Sequence, residues 1–137
     1  MKSRISIFLI ALVVLASCQP NKVIDTPEIK KGMIKMAVLY PNAPGNTFDM
    51  EYYTNTHMPM TADLLGESLK GMTVEKIISS GNPDNPIPYT VIGYFYFENL
   101  FAMQNSMGTH RNEIQADVQN YTNSMPIVQI SELVMAE

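Results

Sequence analysis

The chain has 137 residues, of which 46% are hydrophobic and 16% charged, and its nine basic and thirteen acidic side chains give a formal charge of −4. Scattered lysines on an acidic chain exclude a basic nucleic-acid surface. The length, once its N-terminal segments are set aside, leaves room for one domain.

Residues 1–18 read as a signal. Lys2 and Arg4 form a positive n-region, Ile5 to Ala16 an apolar run short for a membrane span, and Leu15-Ala16-Ser17-Cys18 closes it. The box resembles that of bacterial lipoproteins, in which cleavage leaves Cys18 as a lipidated N-terminus; the alternative is an ordinary secretory signal or an uncleaved anchor. Lipidation implies anchoring at the bacterial cell envelope, periplasmic or outer, at roughly 0.8 kcal/mol per buried CH₂. Cys18 is the only cysteine, so the exported part has no thiol for disulfides, nucleophilic catalysis or thiolate metal binding. Its seven basic and thirteen acidic residues give about −6. Residues 19–32 are polar, carry two prolines and show no apolar period, which reads as a flexible tether.

Residues 33–137 divide into six elements. Met33 to Tyr40 is a nearly continuous apolar strand. A helix follows from about Thr47 to Gly66, bent near Pro59, with Thr47 as N-cap. Met72 to Ser80 suits a strand through Val74, Ile77 and Ile78. Gly81-Asn82-Pro83-Asp84-Asn85-Pro86 is a loop. Tyr89 to Phe97 is the strongest strand, with Tyr89, Val91, Phe95 and Phe97 on one face and Ile92, Tyr94 and Tyr96 on the other. Asn99 caps a second helix whose Leu100, Met103, Met107, His110, Ile114 and Val118 fall at helical spacing, and Pro126 to Val134 is the last strand.

The order is βαββαβ, an α+β ferredoxin-like fold: a four-stranded antiparallel sheet with both helices on one face. Because Tyr89–Phe97 is apolar on both faces, a monomer would leave apolar sheet in water. The expected remedy is a homodimer with its sheets face to face, a dimeric α/β-barrel, with a ligand cavity in each subunit between sheet and helices.

The densest chemistry lies in Phe48-Asp49-Met50-Glu51-Tyr52-Tyr53-Thr54-Asn55-Thr56-His57-Met58-Pro59. On a continuous helix Asp49, Tyr53 and His57 are spaced i, i+4, i+8 and share a face. His57 can transfer a proton near neutrality with Asp49 fixing its tautomer, or it can cap a bent helix. Tyr52 and Tyr53 can bind a substrate oxygen or simply pack. His110 is a pocket residue or a core histidine. Two histidines without a definite carboxylate partner do not make a metal site, and the eleven methionines read as core filling.

Residues 33–135 resemble the EthD family of the dimeric α/β-barrel superfamily. The resemblance is carried by Tyr40-Pro41, by Phe48-Asp49-x-Glu51-Tyr52-Tyr53-x-x-x-His57-x-Pro59, by Pro88-Tyr89, by Phe97-Glu98-Asn99 and by Ala116-Asp117-x-x-x-Tyr121-Thr122. Asn99 stands where the family's pattern has serine; both residues cap helices. The resemblance implies a mostly apolar pocket. It leaves the reaction open, since its superfamily includes cofactor-free oxygenases, isomerases and haem-handling proteins.

No dinucleotide or phosphate-loop signature and no Gly-x-Ser-x-Gly elbow is present, so the family's "reductase" label draws no support from a nucleotide site. The expectation is a lipid-anchored domain binding a small hydrophobic or aromatic molecule. If it is an enzyme, it is a cofactor-independent isomerase, dehydratase, decarboxylase or oxygenase, with catalytic His57, Tyr53 and Asp49 and substrate-binding Tyr52, Tyr94, Tyr96 and His110. The alternative is a non-catalytic binding protein for a hydrophobic ligand or haem at the membrane surface. A purely structural dimer module is a third possibility, and it requires His57 to be buried against backbone carbonyls with no adjoining void.

Overall fold

The computed structural model describes residues 28–137. The expected signal segment with Cys18 and most of the expected tether lie outside these residues.

Four strands form one sheet in the order β2-β3-β1-β4: β1 is Ile34–Pro41, β2 Leu69–Lys76, β3 Tyr89–Phe97 and β4 Ile127–Glu132. All three pairings are antiparallel. A helical run from Met50 to Leu65 joins β1 to β2, and a helix from Leu100 to Asp117 joins β3 to β4. This is the ferredoxin-like βαββαβ topology. No helix of the described residues is long and apolar enough to cross a membrane.

The two most apolar strands, β3 and β1, are central, and their register fixes which side chains share a face. Met36 stands opposite Phe95, Val38 opposite Gly93 and Tyr40 opposite Val91. These residues face the helices, and Met36, Tyr40, Val91, Phe95 and Phe97 join the main core. The alternate positions point away, where Ala37, Leu39 and Ile92 form a smaller apolar cluster with Ile77, Tyr89 and Tyr94 against it. On that outer face, then, a small apolar centre stands beside the polar side chains of Lys35, Glu75 and Gln129.

The run between β1 and β2 begins three residues later than Thr47. Asp49 is its N-cap, its carboxylate accepting from the Tyr52 amide at 3.0 Å. Here α1 is Met50–Tyr52 and α2 is Met58–Leu65, and between them Tyr53–His57 is π-helical. The Met58 amide reaches back to the Tyr53 carbonyl. Pro59, which has no N–H to give, falls in the first turn of α2. The wide turn before it absorbs the mismatch, so the expected bend is a local widening instead. Gly66, at φ 53°, ends the run.

The Asn99 side chain accepts from the Ala102 amide at 2.9 Å and caps α3, Leu100–Asp117. β2 starts at Leu69, earlier than Met72, with an irregularity between Leu69 and Gly71. The Gly32 amide, at the end of the segment expected as a tether, donates to the Leu133 carbonyl at 2.7 Å. Every residue of β4 is exposed.

Candidate functional site

Two distant segments are stitched together beside the π-turn. The Asp49 amide donates to the Tyr121 carbonyl at 2.7 Å and the Thr122 hydroxyl to the Thr47 carbonyl at 2.7 Å, with a bridge between Phe48 and Thr122. This places the end of α3 and the turn after it against Tyr53 and His57. Asp117, the last residue of α3, then faces the imidazole: His57 Nδ1 and Asp117 Oδ2 are 2.8 Å apart.

A carboxylate only accepts, so the Nδ1–H of a neutral ring donates to it and Nε2 keeps its lone pair. The Tyr121 hydroxyl lies 3.3 Å from Nε2 and 2.7 Å from the Tyr40 hydroxyl. With one proton on each phenol, the direction follows: Tyr40 donates to Tyr121, and Tyr121 donates to His57. On the other carboxylate oxygen, Asp117 accepts from the Tyr52 hydroxyl at 2.8 Å and the Asn120 amide at 2.8 Å.

The electrostatics agree with that assignment. Burial lowers the His57 pKa below its ordinary value and outweighs the opposing pull of Asp117, so the ring is neutral at pH 7. Burial alone would raise the Asp117 pKa. Hydrogen bonds from His57, Asn120 and Tyr52 outweigh it and hold the carboxyl below its usual value. Burial raises the Tyr40, Tyr53 and Tyr121 phenols far above the ordinary tyrosine value, so all three stay protonated.

His57 lines a cavity of about 570 Å³ between sheet and helices. Its floor is aromatic and aliphatic, with Tyr40, Tyr53, Phe95, Tyr121, Met103 and Val118 among its walls, and it reaches Val128 and Ile130 of the exposed β4. Two hydroxyls in its wall, those of Tyr53 and Thr61, are buried and have no hydrogen-bond partner among the described residues. Such groups cost free energy unless something supplies a partner. The Tyr53 hydroxyl fits because position 93 is glycine; a Cβ there would overlap it.

Of the seven residues expected to act on or bind a substrate, His57 and Tyr53 line this cavity. Asp49 does not partner His57. It is spent on the helix N-cap, and the π-turn breaks the i, i+4, i+8 face that would have joined them. Tyr52 stands behind the cavity as a donor to Asp117. Tyr94 and Tyr96 are on the outer face, opposite in parity to Phe95, and Lys35 Nζ sits 5.0 Å over the Tyr94 ring. His110 is half-buried on α3 and outside the cavity wall, which its neighbour Arg111 enters instead. His57 meets a carboxylate and a phenol beside a void, in place of the backbone carbonyls a structural histidine would need.

Sequence reasoning missed Asp117, Tyr121 and Tyr40 as site residues, together with Thr61 and Gly93. The first three fall within the motifs that carry the family resemblance, and that was their one signal. Among the described residues no three of His, Cys, Asp and Glu come together as a metal-ligand group.

The geometry can be set beside known proteins. No curated protein matches this sequence. An EthD-like protein from Ralstonia eutropha is 35% identical, with 79% of this chain and 97% of that one covered and a TM-score of 0.72. An ethyl tert-butyl ether D (EthD) family protein from Bacillus halodurans is 24% identical, with coverages of 73% and 97% and a TM-score of 0.57, and shares the fold. The EthD domain model matches residues 46–124, the span that holds the π-turn, β3, α3 and the whole His57–Asp117–Tyr121 cluster except Tyr40. With a family model over more than half its length and a 35% identical relative covered almost end to end, this chain is a member of the EthD family.

Proposed function

We propose that the cavity binds a small hydrophobic or aromatic molecule and that His57 moves a proton on it. One observation carries this reading: a neutral imidazole, its tautomer set by Asp117, lines an apolar cavity that also holds the unpartnered hydroxyls of Tyr53 and Thr61. In the simplest step, Nε2 takes a proton from a carbon next to a carbonyl. The Asp117 carboxylate stabilises the imidazolium, and the Tyr53 hydroxyl donates to the oxygen as it gains charge. Return of the proton to another carbon gives an isomer. Loss of a β-hydroxyl from the same enolate, with the imidazolium returning its proton to the leaving oxygen as water, gives dehydration. In a decarboxylation His57 takes the acid proton of a β-keto acid, loss of carbon dioxide generates the enolate, and His57 returns that proton to the carbon. A cofactor-free oxygenation would begin with the same deprotonation of carbon, with dioxygen as co-substrate.

A non-catalytic carrier is the second reading. What favours it is the Tyr121 hydroxyl already seated on Nε2, with His57 itself only 3% exposed. A carrier needs the cavity and not the base.

The same reading places the domain on a lipid anchor at Cys18, at the bacterial cell envelope, and pairs it into a homodimer through the outer sheet face. Support for the anchor is the sequence of residues 1–18. For the dimer it is the apolar centre of Ala37, Leu39 and Ile92 on the face the helices leave uncovered.

A thermal-shift screen of small aromatic phenols and ketones against wild type and His57→Gln tests the site. Ligands stabilise as RT ln(1 + [L]/Kd). Hits should then be followed for turnover across pH. Proton-transfer chemistry predicts a rate that falls on acidification as His57 protonates, and a loss of about 10²- to 10⁴-fold in the variant. Equal binding in both proteins, with no turnover in either, would establish the carrier instead.

A further inference from the structure

Resting on that reading of the cavity, we infer that its ligand is a carboxylate, an aromatic or similarly flat acid whose anionic group is held at the cavity mouth by Arg111. Positive charge is sparse in the second half of the chain. Beyond Lys76 the chain runs to residue 137 with one permanently charged cation, Arg111, which is also the only arginine after Arg4. On an acidic chain, that cation lies in the wall of the apolar cavity that His57 lines.

The pattern of α3 sharpens the point. Met103, Met107, Ile114 and Val118 follow the spacing of a helix packed on a core, and all four line the cavity. Gln104, Arg111 and Gln115 also line it, so the stripe is interrupted by polar groups where a helix covering a core alone would stay apolar. All three are exposed, which places them at the open end, whereas His57, Tyr53 and Thr61 are buried at the other. Arg111 has no ion-pair partner among the described residues, and the Asp117 carboxylate at the end of α3 is taken up by His57, Tyr52 and Asn120.

A planar guanidinium matches a carboxylate through two parallel hydrogen bonds, and the amides of Gln104 and Gln115 can donate to the same group. The cavity is then read as two polar ends across an apolar span. An anion is fixed at the mouth, and an oxygen or acidic C–H is delivered to the Tyr53–His57 end. This narrows the substrate from hydrophobic molecules in general to hydrophobic acids.

A matched set of probes tests it: 6-hydroxy-2-naphthoate, its methyl ester and 2-naphthol, titrated calorimetrically into the full chain and into Arg111→Gln and Arg111→Lys. In wild type the acid should bind about tenfold more tightly than the ester, as a charge-assisted pair at a half-open mouth allows. Arg111→Gln should abolish that preference while leaving ester and naphthol affinity unchanged, and Arg111→Lys should keep part of it. An acid that binds no better than its ester, or a preference that survives in Arg111→Gln, would overturn the inference. Naphthol binding that is weakened in His57→Gln would leave the underlying reading of the cavity standing in that case. If none of the three probes binds, both fall.

Discussion

Gly93 is the position where the account can be tested most sharply by a single methyl group. It lies in β3, opposite Val38 of β1 and Val74 of β2, with the Tyr53 hydroxyl filling the space a side chain would take. Tyr53 is fully buried, so the ring cannot swing out. Gly93→Ala should therefore cost about 1–3 kcal/mol of overpacking, less the roughly 0.5–1 kcal/mol that alanine gains over glycine within a strand. The net is a loss of about 1–2 kcal/mol. In a Tyr53→Phe background the hydroxyl is gone, and the added Cβ meets only the ring carbon Cζ at 3.6 Å and Phe95 Cε2 at 3.7 Å, both ordinary contacts. There the same change should be neutral or mildly stabilising, giving a coupling of about 2 kcal/mol. At about 4 °C per kcal/mol for a domain of this size, that is close to 8 °C in Tm. Calorimetric unfolding of wild type, both single variants and the double variant measures it. Additive effects, within about 0.5 kcal/mol, would mean that the Tyr53 hydroxyl does not sit on Gly93, and the geometry of the cavity floor would be wrong.

The remaining predictions concern the polar network. Because the folded-state pKa of His57 lies below 6.5, the unfolded chain gains that proton first. Stability should be full above about pH 6.5 and decline as pH falls through the folded value, with a further loss below 3.8 from Asp117; denaturant melts across pH should show the first phase vanish in His57→Gln. Asp117→Asn removes a charge that favours imidazolium, so the His57 pKa should drop further below its wild-type value by NMR titration. Thr61→Val and Tyr53→Phe each remove a buried hydroxyl that has no partner, and should leave unfolding free energy unchanged or raised by about 1 kcal/mol while weakening ligand binding. Tyr94→Phe and Tyr96→Phe, on the outer face, should change ligand affinity less than about twofold in the calorimetric titration.

The fold was legible because its signals are local. Nearly continuous apolar runs at Met33–Tyr40 and Tyr89–Phe97 and the Asn99 cap specify elements whose order admits one common topology. The site was legible only in part, because its partnerships are long-range. His57 meets a carboxylate sixty positions away, not the Asp49 eight positions back that helical spacing favoured. That spacing presumed an unbroken α-helix, and Pro59 instead forces a π-turn that rotates the faces apart. The error at Tyr94 and Tyr96 has a different cause. Alternation separates the two faces of β3 but does not say which one meets the helices. The small residue at position 93 held that information, since it makes room for a side chain arriving from the helical side.

In the proposed site His57 is a neutral base with a fixed tautomer opening on a ligand cavity. Nitrogen-15 NMR of the histidine rings tests it most directly, with His57→Gln assigning the signal against His110. The expected ring is protonated on Nδ1 alone at pH 7 and titrates below 6.5, with an Nε2 resonance that moves when an aromatic probe binds. A ring protonated on Nε2, a doubly protonated ring at neutral pH, or an Nε2 signal indifferent to bound probe would contradict it.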